Sequence, residues 1–225
     1  MAQKICCFLV LAVTFTAGFA SPLLGAMGCS LRDPDRDVRR LFPGSTGYRT
    51  VFITIEERGG RTLLKRIEEK LGDTFEPVYE TIDVPYAFYT ILKGTTIIGY
   101  IHGVNQKGEF GGLQLILATD PDGRITGFYY QRISSPEGKK YRDRNFTDRF
   151  KGLTLADFYH YDTKKGCVDD TPSPLSGIKN PAGRNDIDFK ATMRGLKKNL
   201  IIFDEFIGGN RHDDIYEKIK QRGSR

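Results

Sequence analysis

Cysteine is scarce in the part of the chain that can fold. Of the four cysteines among the 225 residues, Cys6 and Cys7 lie in an apolar stretch near the N-terminus and Cys29 directly follows it. Cys167 is the only cysteine left for the folded body, so an intramolecular disulfide framework is excluded there. A lone thiol can be reactive, but the sequence shows no nearby base to activate it. A loop cysteine without a partner is the simpler interpretation.

Histidine is rare and tryptophan is absent. The three histidines, His102, His160 and His212, are far apart. None of them stands in a ligand spacing such as HxxxH or CxxC, so we expect no metal site. The motifs GxSxG, GxGxxG and the Walker-type glycine loop are also missing. The sequence therefore gives no indication of a hydrolase site or a nucleotide loop, and we assign no catalytic residue.

Positive charge is in excess but is not concentrated in one stretch. Lysine and arginine number 34 and aspartate and glutamate 28, which gives a formal net charge of +6. Many of the cations stand beside acidic residues, as in KRIEEK, whereas nucleic-acid binding calls for a basic patch. We therefore expect no nucleic-acid partner. A solvated surface that faces an anionic membrane accounts for the excess equally well.

The N-terminal stretch from Ile5 to Gly28 contains no charged residue. Such a stretch is typical of an export signal or a membrane anchor. Three outcomes are open: cleavage after Ala20, lipid attachment to Cys29 in a context that resembles a bacterial lipobox, or retention as one spanning helix. We expect an exported protein tethered to the membrane at its N-terminus, on the exported side of the bacterial inner membrane or in the periplasm.

The rest of the sequence predicts an α+β domain. Its N-terminal half predicts strands at Val51–Ile55 and at residues 77–84, PVYETIDV. Between them RTLLKRIEEKLG predicts a short amphipathic helix that ends at Gly72. The segments YAFYTIL and TTIIGYIHGV, joined by a tight turn at Lys93 and Gly94, predict further strands of an antiparallel meander. The expected divisions are 1–28 signal or anchor, 29–48 linker, 49–210 domain, and 211–225 helix and tail.

The C-terminal half predicts a hairpin, a loop and a long helix. Residues 113–119 and 124–133 flank the turn sequence DPDG and predict the hairpin. Beyond it we expect a short helix ending near Phe150 and a long surface loop over residues 161–184. In the closing helix, Lys197 and Lys198 are expected to face water. The apolar face of that helix is expected to carry Leu196, Leu200, Phe203 and Ile207.

The stretch NDIDFKATMRGLKKNL, residues 185–200, places a threonine between two cations at the predicted start of the closing helix. Thr192 stands one turn before Leu196, so its hydroxyl should point toward the protein body. The free N–H groups of a helix start favour an anion, usually phosphate, and Lys190 and Arg194 add positive charge. A phosphate site and a core threonine bonded to a backbone carbonyl both remain open.

The segment KGEFGGLQLILATDPDGRITGFYYQRI resembles the centre of the FMN-binding domain in the flavin-carrying subunits of Rnf electron-transport complexes and sodium-pumping NADH:quinone reductases. In that family a flavin transferase joins FMN, through its phosphate, to the threonine of an acidic-x-x-Ser/Thr-Gly-Ala-Thr motif. On this chain the acidic residue, the alanine and the acceptor match Asp186, Ala191 and Thr192. Phe189 and Lys190 stand where the family has Ser or Thr and Gly.

The resemblance implies a site for FMN. Thr192 and Ala191 would hold the phosphate, and Lys190 and Arg194 would neutralise it. Phe110 or Tyr129 would stack on the flavin ring. The family's Glu-Thr-Pro-Gly element is altered here to SSPEG, which keeps the proline but loses the leading acid. The backbone walls of the site would come from Gly111, Gly112, Ser135, Pro136 and Gly138.

Three functions compete. The first is an exported, membrane-tethered FMN-binding electron-transfer protein, whose partners would be membrane-bound redox complex subunits and a flavin transferase. The second is the same fold without flavin, acting as a binding or assembly module in a cell-envelope complex, and Phe189 and Lys190 favour it. The third, a separate flavin reductase, would need nicotinamide cofactors on the exported side and ranks last. An electron-carrying subunit is favoured over a stand-alone enzyme.

Overall fold

A five-stranded antiparallel sheet forms the centre of the fold in a computed structural model of the chain. The structure describes residues 30–75, 81–183 and 186–223, so the predicted N-terminal signal or anchor and Cys29 lie outside it. The strands neighbour one another in chain order, which confirms the predicted α+β class and the meander. Their bounds are β1 Gly47–Ile53, β2 Tyr86–Lys93, β3 Thr96–Gly108, β4 Gly111–Thr119 and β5 Ile125–Ile133.

Helices flank the sheet and connect its ends. A small hairpin and a 3₁₀ turn at Pro174–Gly177 occupy the segment predicted as one long surface loop. Among the described residues, no helix combines the length and apolar character needed to cross a membrane. The hairpin strands are β6 Tyr161–Asp162 and β7 Cys167–Val168. The helices are α1 Pro34–Leu41, α2 Ile55–Arg58, α3 Gly60–Leu71, α4 Gly138–Tyr141, α5 Arg144–Thr147, α6 Leu155–Phe158, α7 Asp186–Phe203 and α8 Asp213–Gly223.

Local sequence accounts for the turns that join these elements. In the β4–β5 turn, the Asp120 carboxylate accepts hydrogen bonds from the N–H groups of Asp122 and Arg124, both at 2.9 Å. Gly123 supplies the positive φ of 81°, a conformation that glycine adopts without steric cost. Helix α3 ends at Gly72, whose left-handed backbone lets its N–H donate to the Glu68 carbonyl at 2.9 Å. The predicted hairpin and helix stop are confirmed.

The sheet is buried on both faces because side chains alternate along each strand. On β2, Phe88 belongs to the larger core cluster, while Ala87 and Tyr89 belong to a second cluster on the opposite face. Helix α7 contacts β3 and β4, and its Leu196 and Leu200 belong to the larger cluster. The second cluster includes residues of α1. The sheet therefore forms the middle layer between α7 and α1.

Helix α1 lies within the stretch expected to be a linker. Asp33 caps it by accepting a hydrogen bond from the Arg36 N–H at 3.1 Å, and Pro34 stands at its first position. Proline is tolerated there because the N–H it lacks would have no helical partner. Val38 is buried against the sheet. Leu31 and Phe42 are buried in the same cluster. A few apolar residues in a mostly charged stretch thus hold it against the sheet.

The strand predicted at residues 77–84 is not part of the sheet where it is described. Residues 77–80 lie outside the described residues, and Thr81–Val84 form a turn leading into β2. The Ile82 carbonyl instead accepts a hydrogen bond from the Glu56 N–H at 3.0 Å. Strand β2 pairs with β1 on one side and with β3 on the other. Strand β1 ends at Ile53 because Thr54 forms the capping box of α2.

The lysines of α7 are buried, so the prediction that they face water was wrong. Lys197 is 4% exposed and Lys198 is 0% exposed. Their ammonium groups donate to backbone carbonyls, at 2.9 Å to Tyr161 and at 2.6 Å to Asn105. Burial lowers the pKa of Lys197 to about 8. Helix α7 is enclosed by β3 and β4 on one side and by α3 and α6 on others, which leaves no face for solvent at this point.

Candidate functional site

Thr192 lies in the second turn of α7, not at its start. The helix begins at Asp186, so the Thr192 N–H lies inside the helix and is not one of the free donors of the first turn. This corrects the expectation that free N–H groups and the helix dipole at Thr192 favour an anion. The residue is 0% exposed, and neighbouring Ala191 is buried in the core.

Two hydrogen bonds occupy the Thr192 hydroxyl. Its oxygen lies 2.8 Å from the Asp188 carbonyl and 2.8 Å from the Tyr130 hydroxyl. A carbonyl can only accept, so Thr192 donates its single hydrogen to Asp188 and accepts from Tyr130. Burial raises the pKa of Tyr130 well above its ordinary value, which keeps this donor protonated. Of the two interpretations left open by the sequence, the geometry matches the core threonine bonded to a carbonyl.

The two cations that flank Thr192 are engaged by the protein. Arg194 is 7% exposed and pairs with Asp73 at 3.0 Å. Its terminal nitrogens Nη1 and Nη2 donate to Gln106 Oε1 at 2.7 Å and to the Thr74 carbonyl at 2.9 Å. The alkyl chain of Lys190 lies across Gly166, where an added Cβ would come within 2.4 Å of it. The Arg194 guanidinium is thus bound by other groups of the protein and not by the Thr192 oxygen.

The β3–β4 turn, the segment after β5 and the start of α7 lie close together at one end of the sheet. The β3–β4 turn touches α7, because the Asp188 carboxylate accepts a hydrogen bond from the Glu109 N–H at 2.9 Å. The same turn touches the segment after β5, since a Cβ on Gly111 would lie 3.3 Å from Ser134. Gly111 has a φ of 130°, which favours glycine. Gly112 pairs with Lys107 in the β3–β4 ladder.

The other predicted site residues lie around this junction. Ser135 begins the turn into α4, where its carbonyl accepts from the Gly138 N–H at 3.0 Å and its hydroxyl from the Glu137 N–H at 3.3 Å. Pro136 is exposed and Gly138 is buried. Of the candidate stacking residues, Phe110 is 51% exposed at the tip of the β3–β4 turn. Tyr129 instead lies on the far face of the sheet, in contact with the second core cluster.

We expect Gly108→Ala to loosen this junction. An added Cβ would lie 2.1 Å from Leu113 Cδ1 and 2.5 Å from Asp188 Oδ1, so both side chains must move, at a cost of about 1–3 kcal/mol in the free energy of unfolding. Gly47→Ala in β1 is the matched control, since nothing lies within 4 Å of its added Cβ. Chemical unfolding of both variants measures the difference, and equal midpoints would contradict the close approach.

The residues present do not fit a flavin phosphate on Thr192. The acceptor oxygen has no exposed surface and both of its hydrogen bonds are made within the protein. Asp188 adds a carboxylate at this point, and its Oδ2 is buried without a hydrogen-bond partner among the described residues. A buried carboxylate opposes a second anion at short range. In this structure the Thr192 oxygen is therefore not an attachment point for FMN.

A cavity lies beside Phe189 and Met193 of α7. It has a volume of about 370 Å³ and is bordered by Phe189 and Met193 of α7 and by Cys167 of the β6–β7 hairpin. The Cys167 thiol is free and exposed. Phe189, at the position where the family has a small hydroxyl residue, thus gives the cavity an apolar wall.

A basic groove, which the sequence did not predict, runs along the edge strand β5. The cavity has a volume of about 540 Å³. Its floor includes Tyr129, over whose ring the Arg40 guanidinium lies at 3.8 Å, and Gln131. Helix α1 forms one wall and the α4–α5 region forms the other. The six exposed cations that define the groove are Arg32, Arg36, Arg40, Arg142, Arg144 and Lys151.

Two carboxylates also line the groove and each is already paired. Asp37 is 1% exposed and accepts a hydrogen bond from the Tyr129 hydroxyl at 2.9 Å. It also lies 3.3 Å from the Arg40 guanidinium. Asp148 pairs with Lys151 at 2.9 Å. The i, i+4 spacing of Arg36 and Arg40 on one helix was the signal available in the sequence.

Comparisons with known proteins give limited similarity. No family model matches the chain, and no curated protein is significantly similar to it. A solved structure, that of Shewanella oneidensis NqrC, is similar over 85% of this chain and 90% of its own, with a TM-score of 0.46 and 13% identity.

Proposed function

We propose that this protein is a flavin-free binding or assembly module of a cell-envelope complex, exported and tethered to the membrane by its N-terminal segment. The observation that carries this proposal is the enclosure of the Thr192 hydroxyl, which is 0% exposed and hydrogen-bonded on both sides. A transferase would have to bring a flavin phosphate to that oxygen. No face of it is open to an incoming phosphorus atom.

Opening the site would disturb more than one side chain. The first turn of α7 is held to the β3–β4 turn by the hydrogen bond from the Glu109 N–H to Asp188. The second turn is held to β5 by the hydrogen bond between Tyr130 and Thr192. Each such bond contributes about 1 kcal/mol, and the buried methyl and ring contacts add to that. Phe189 and Lys190 would also obstruct a transferase that brings a flavin phosphate to Thr192. The family motif has glycine at the position of Lys190, and glycine has no side chain to obstruct that approach.

Two surfaces suit a partner. The basic groove along β5 offers positive charge. At the opposite edge of the sheet, β1 exposes Val51 by 43% and Phe52 by 54%. Exposed apolar side chains on an edge strand are the kind of surface that proteins add to by pairing or covering. A module that docks other components has use for both surfaces.

An FMN-carrying electron-transfer subunit is the second candidate. The meeting of the β3–β4 turn, Ser134 and the start of α7 at one end of the sheet favours it, together with the sequence resemblance. In that function the first turns of α7 would have to open before modification. Membrane-bound redox complex subunits would then be the partners.

Flavin loading separates the two candidates. We expect the full chain, produced in an exporting host with a flavin transferase, to have no visible flavin absorbance and no added mass on Thr192, and Thr192→Ala to behave identically. An acceptor domain with the complete family motif, made in the same cells, verifies the transferase. Mass increased by FMN minus water in the wild type and lost in Thr192→Ala would overturn the proposal, as would binding of added FMN.

A further inference from the structure

We infer that the basic groove docks on the anionic phospholipid headgroups of the membrane that tethers the chain. The inference deepens the proposed function and rests on its membrane tether. It assigns a ligand, the lipid phosphate, and an orientation, with the edge strand β5 toward the bilayer. Three observations support it: the net positive charge of the groove, the lack of ion pairs at three of its arginines among the described residues, and the place where the N-terminal segment joins the fold.

The groove holds most of the excess charge of the protein. Six cations and two carboxylates line it, a net of four positive charges on a chain whose net charge is +6. Arg32, Arg142 and Arg144 form no ion pair with any carboxylate in the described residues. Guanidinium groups bind phosphate oxygens through paired N–H donors. Three arginines are therefore available for headgroup phosphates without breaking an internal pair.

The N-terminal segment joins the domain at the wall of this groove. The Gln131 side chain, which lines the groove, donates to the Ser30 carbonyl at 2.9 Å and accepts from the Arg32 N–H at 2.8 Å. Leu31 between them is buried. The uncharged stretch ends at Gly28, and chain geometry keeps two residues within about 7 Å. A tether in that stretch holds the groove at the bilayer surface.

Proximity favours lipid over an acidic protein segment as the occupant. A tethered groove meets headgroups at high local concentration, because the second contact of a linked pair is intramolecular. Each basic residue near an anionic surface strengthens docking by about fivefold. The same attraction weakens as salt screens it, within a Debye length of about 10 Å at 0.1 M.

Hydrogen exchange of the full chain in nanodiscs tests this orientation. We expect amides of residues 126–131 and 142–151 to exchange more slowly in discs containing phosphatidylglycerol than in discs of phosphatidylcholine alone. Arg142→Gln with Arg144→Gln should weaken docking by about fivefold for each arginine and remove most of that protection. Raised salt should do the same.

The control pair is Lys164→Gln with Lys218→Gln, two exposed lysines outside the groove. It removes the same charge and should retain the protection. Equal exchange in both lipids, or equal loss in the two double variants, would overturn lipid docking. Protection conferred only by an added polyglutamate peptide would overturn it in favour of a protein partner. Visible absorbance of the same samples reports flavin separately, so failure of docking and failure of the flavin-free function are distinct results.

Discussion

Replacing Glu205 by glutamine is expected to lower the free energy of unfolding by about 3 kcal/mol. The Glu205 carboxylate is 0% exposed and binds Arg66 of α3 together with Lys70, whose ammonium lies 2.6 Å from it. The glutamine amide carries no negative charge, while the Lys70 side chain stays 2% exposed. Among the described residues, Asp213 is then the one carboxylate left to balance the Lys70 charge. Breaking a buried pair from one side leaves an uncompensated charge. Urea unfolding of the purified chain measures the loss.

Glu69→Gln is the matched control for that substitution. Glu69 also pairs with a lysine, Lys220, but at 3.6 Å and with a side chain 45% exposed. An exposed pair of this kind contributes about 0–1 kcal/mol. If the two variants unfolded at the same urea concentration, burial would not be what gives the Glu205 network its strength.

The elements that the sequence predicts well are those whose signal is local. The DPDG turn contains both the capping carboxylate of Asp120 and the glycine that its backbone requires. Helix α3 shows apolar spacing and a glycine stop in one uninterrupted stretch. Helix α1 was missed because its fold depends on a distant surface. Val38 gains stability only when the sheet covers it.

Helix α7 shows the limit of a periodicity argument. Leu196, Leu200 and Phe203 recur on one face, so Lys197 and Lys198 are naturally assigned to water. The structure instead satisfies both lysines with carbonyls from other parts of the chain, at Tyr161 and Asn105. No spacing rule identifies an acceptor some 36 or 93 residues away. A polar residue on a helix therefore predicts exposure only where the number of packing neighbours is known.

Part of the candidate site could be predicted and part could not. From the family resemblance, the β3–β4 turn, the segment after β5 and the start of α7 are expected to lie together, and in the structure they are in contact. The Thr192 hydroxyl is enclosed partly by its hydrogen bond to Tyr130, 62 residues away. The sequence alone does not show this contact, so it left phosphate binding and core packing both open. Lys190, which replaces a glycine of the family motif, packs against Gly166. The enclosed hydroxyl of Thr192 is the observation on which the proposed flavin-free function rests.

Acidification from pH 7 to pH 4.5 is expected to reduce the stability of the domain by about 3 kcal/mol through His102 alone. The His102 ring is 2% exposed and stacks on Phe88 with ring centres 4.3 Å apart. Its Nδ1 lies 2.6 Å from Asn199 Oδ1. Because an amide oxygen only accepts, Nδ1 carries the proton and Nε2 is the basic atom. Nε2 has no hydrogen-bond partner among the described residues.

The sign of this effect follows from the pKa. Burial, and to a smaller extent the nearby Lys198 charge, lowers the pKa of His102 from 6.5 to about 3, against the opposing hydrogen bond to Asn199. Between these values the unfolded chain binds the extra proton and the folded chain does not, so stability is full above pH 6.5 and falls as the pH drops toward 3. The loss between pH 7 and pH 4.5 corresponds to about two pKa units at 1.36 kcal/mol each.

Urea unfolding at several pH values distinguishes His102 from the general titration of carboxylates. His102→Gln removes the titrating ring, so its stability should fall less steeply between pH 7 and pH 4.5 than that of the wild type, whatever its stability at pH 7. His160→Gln is the comparison variant, since it also removes one histidine, but one whose side chain is 22% exposed and lies 3.0 Å from the Asp169 carboxylate. A wild-type slope that survives in His102→Gln would mean that the buried ring is not the group that unfolding protonates.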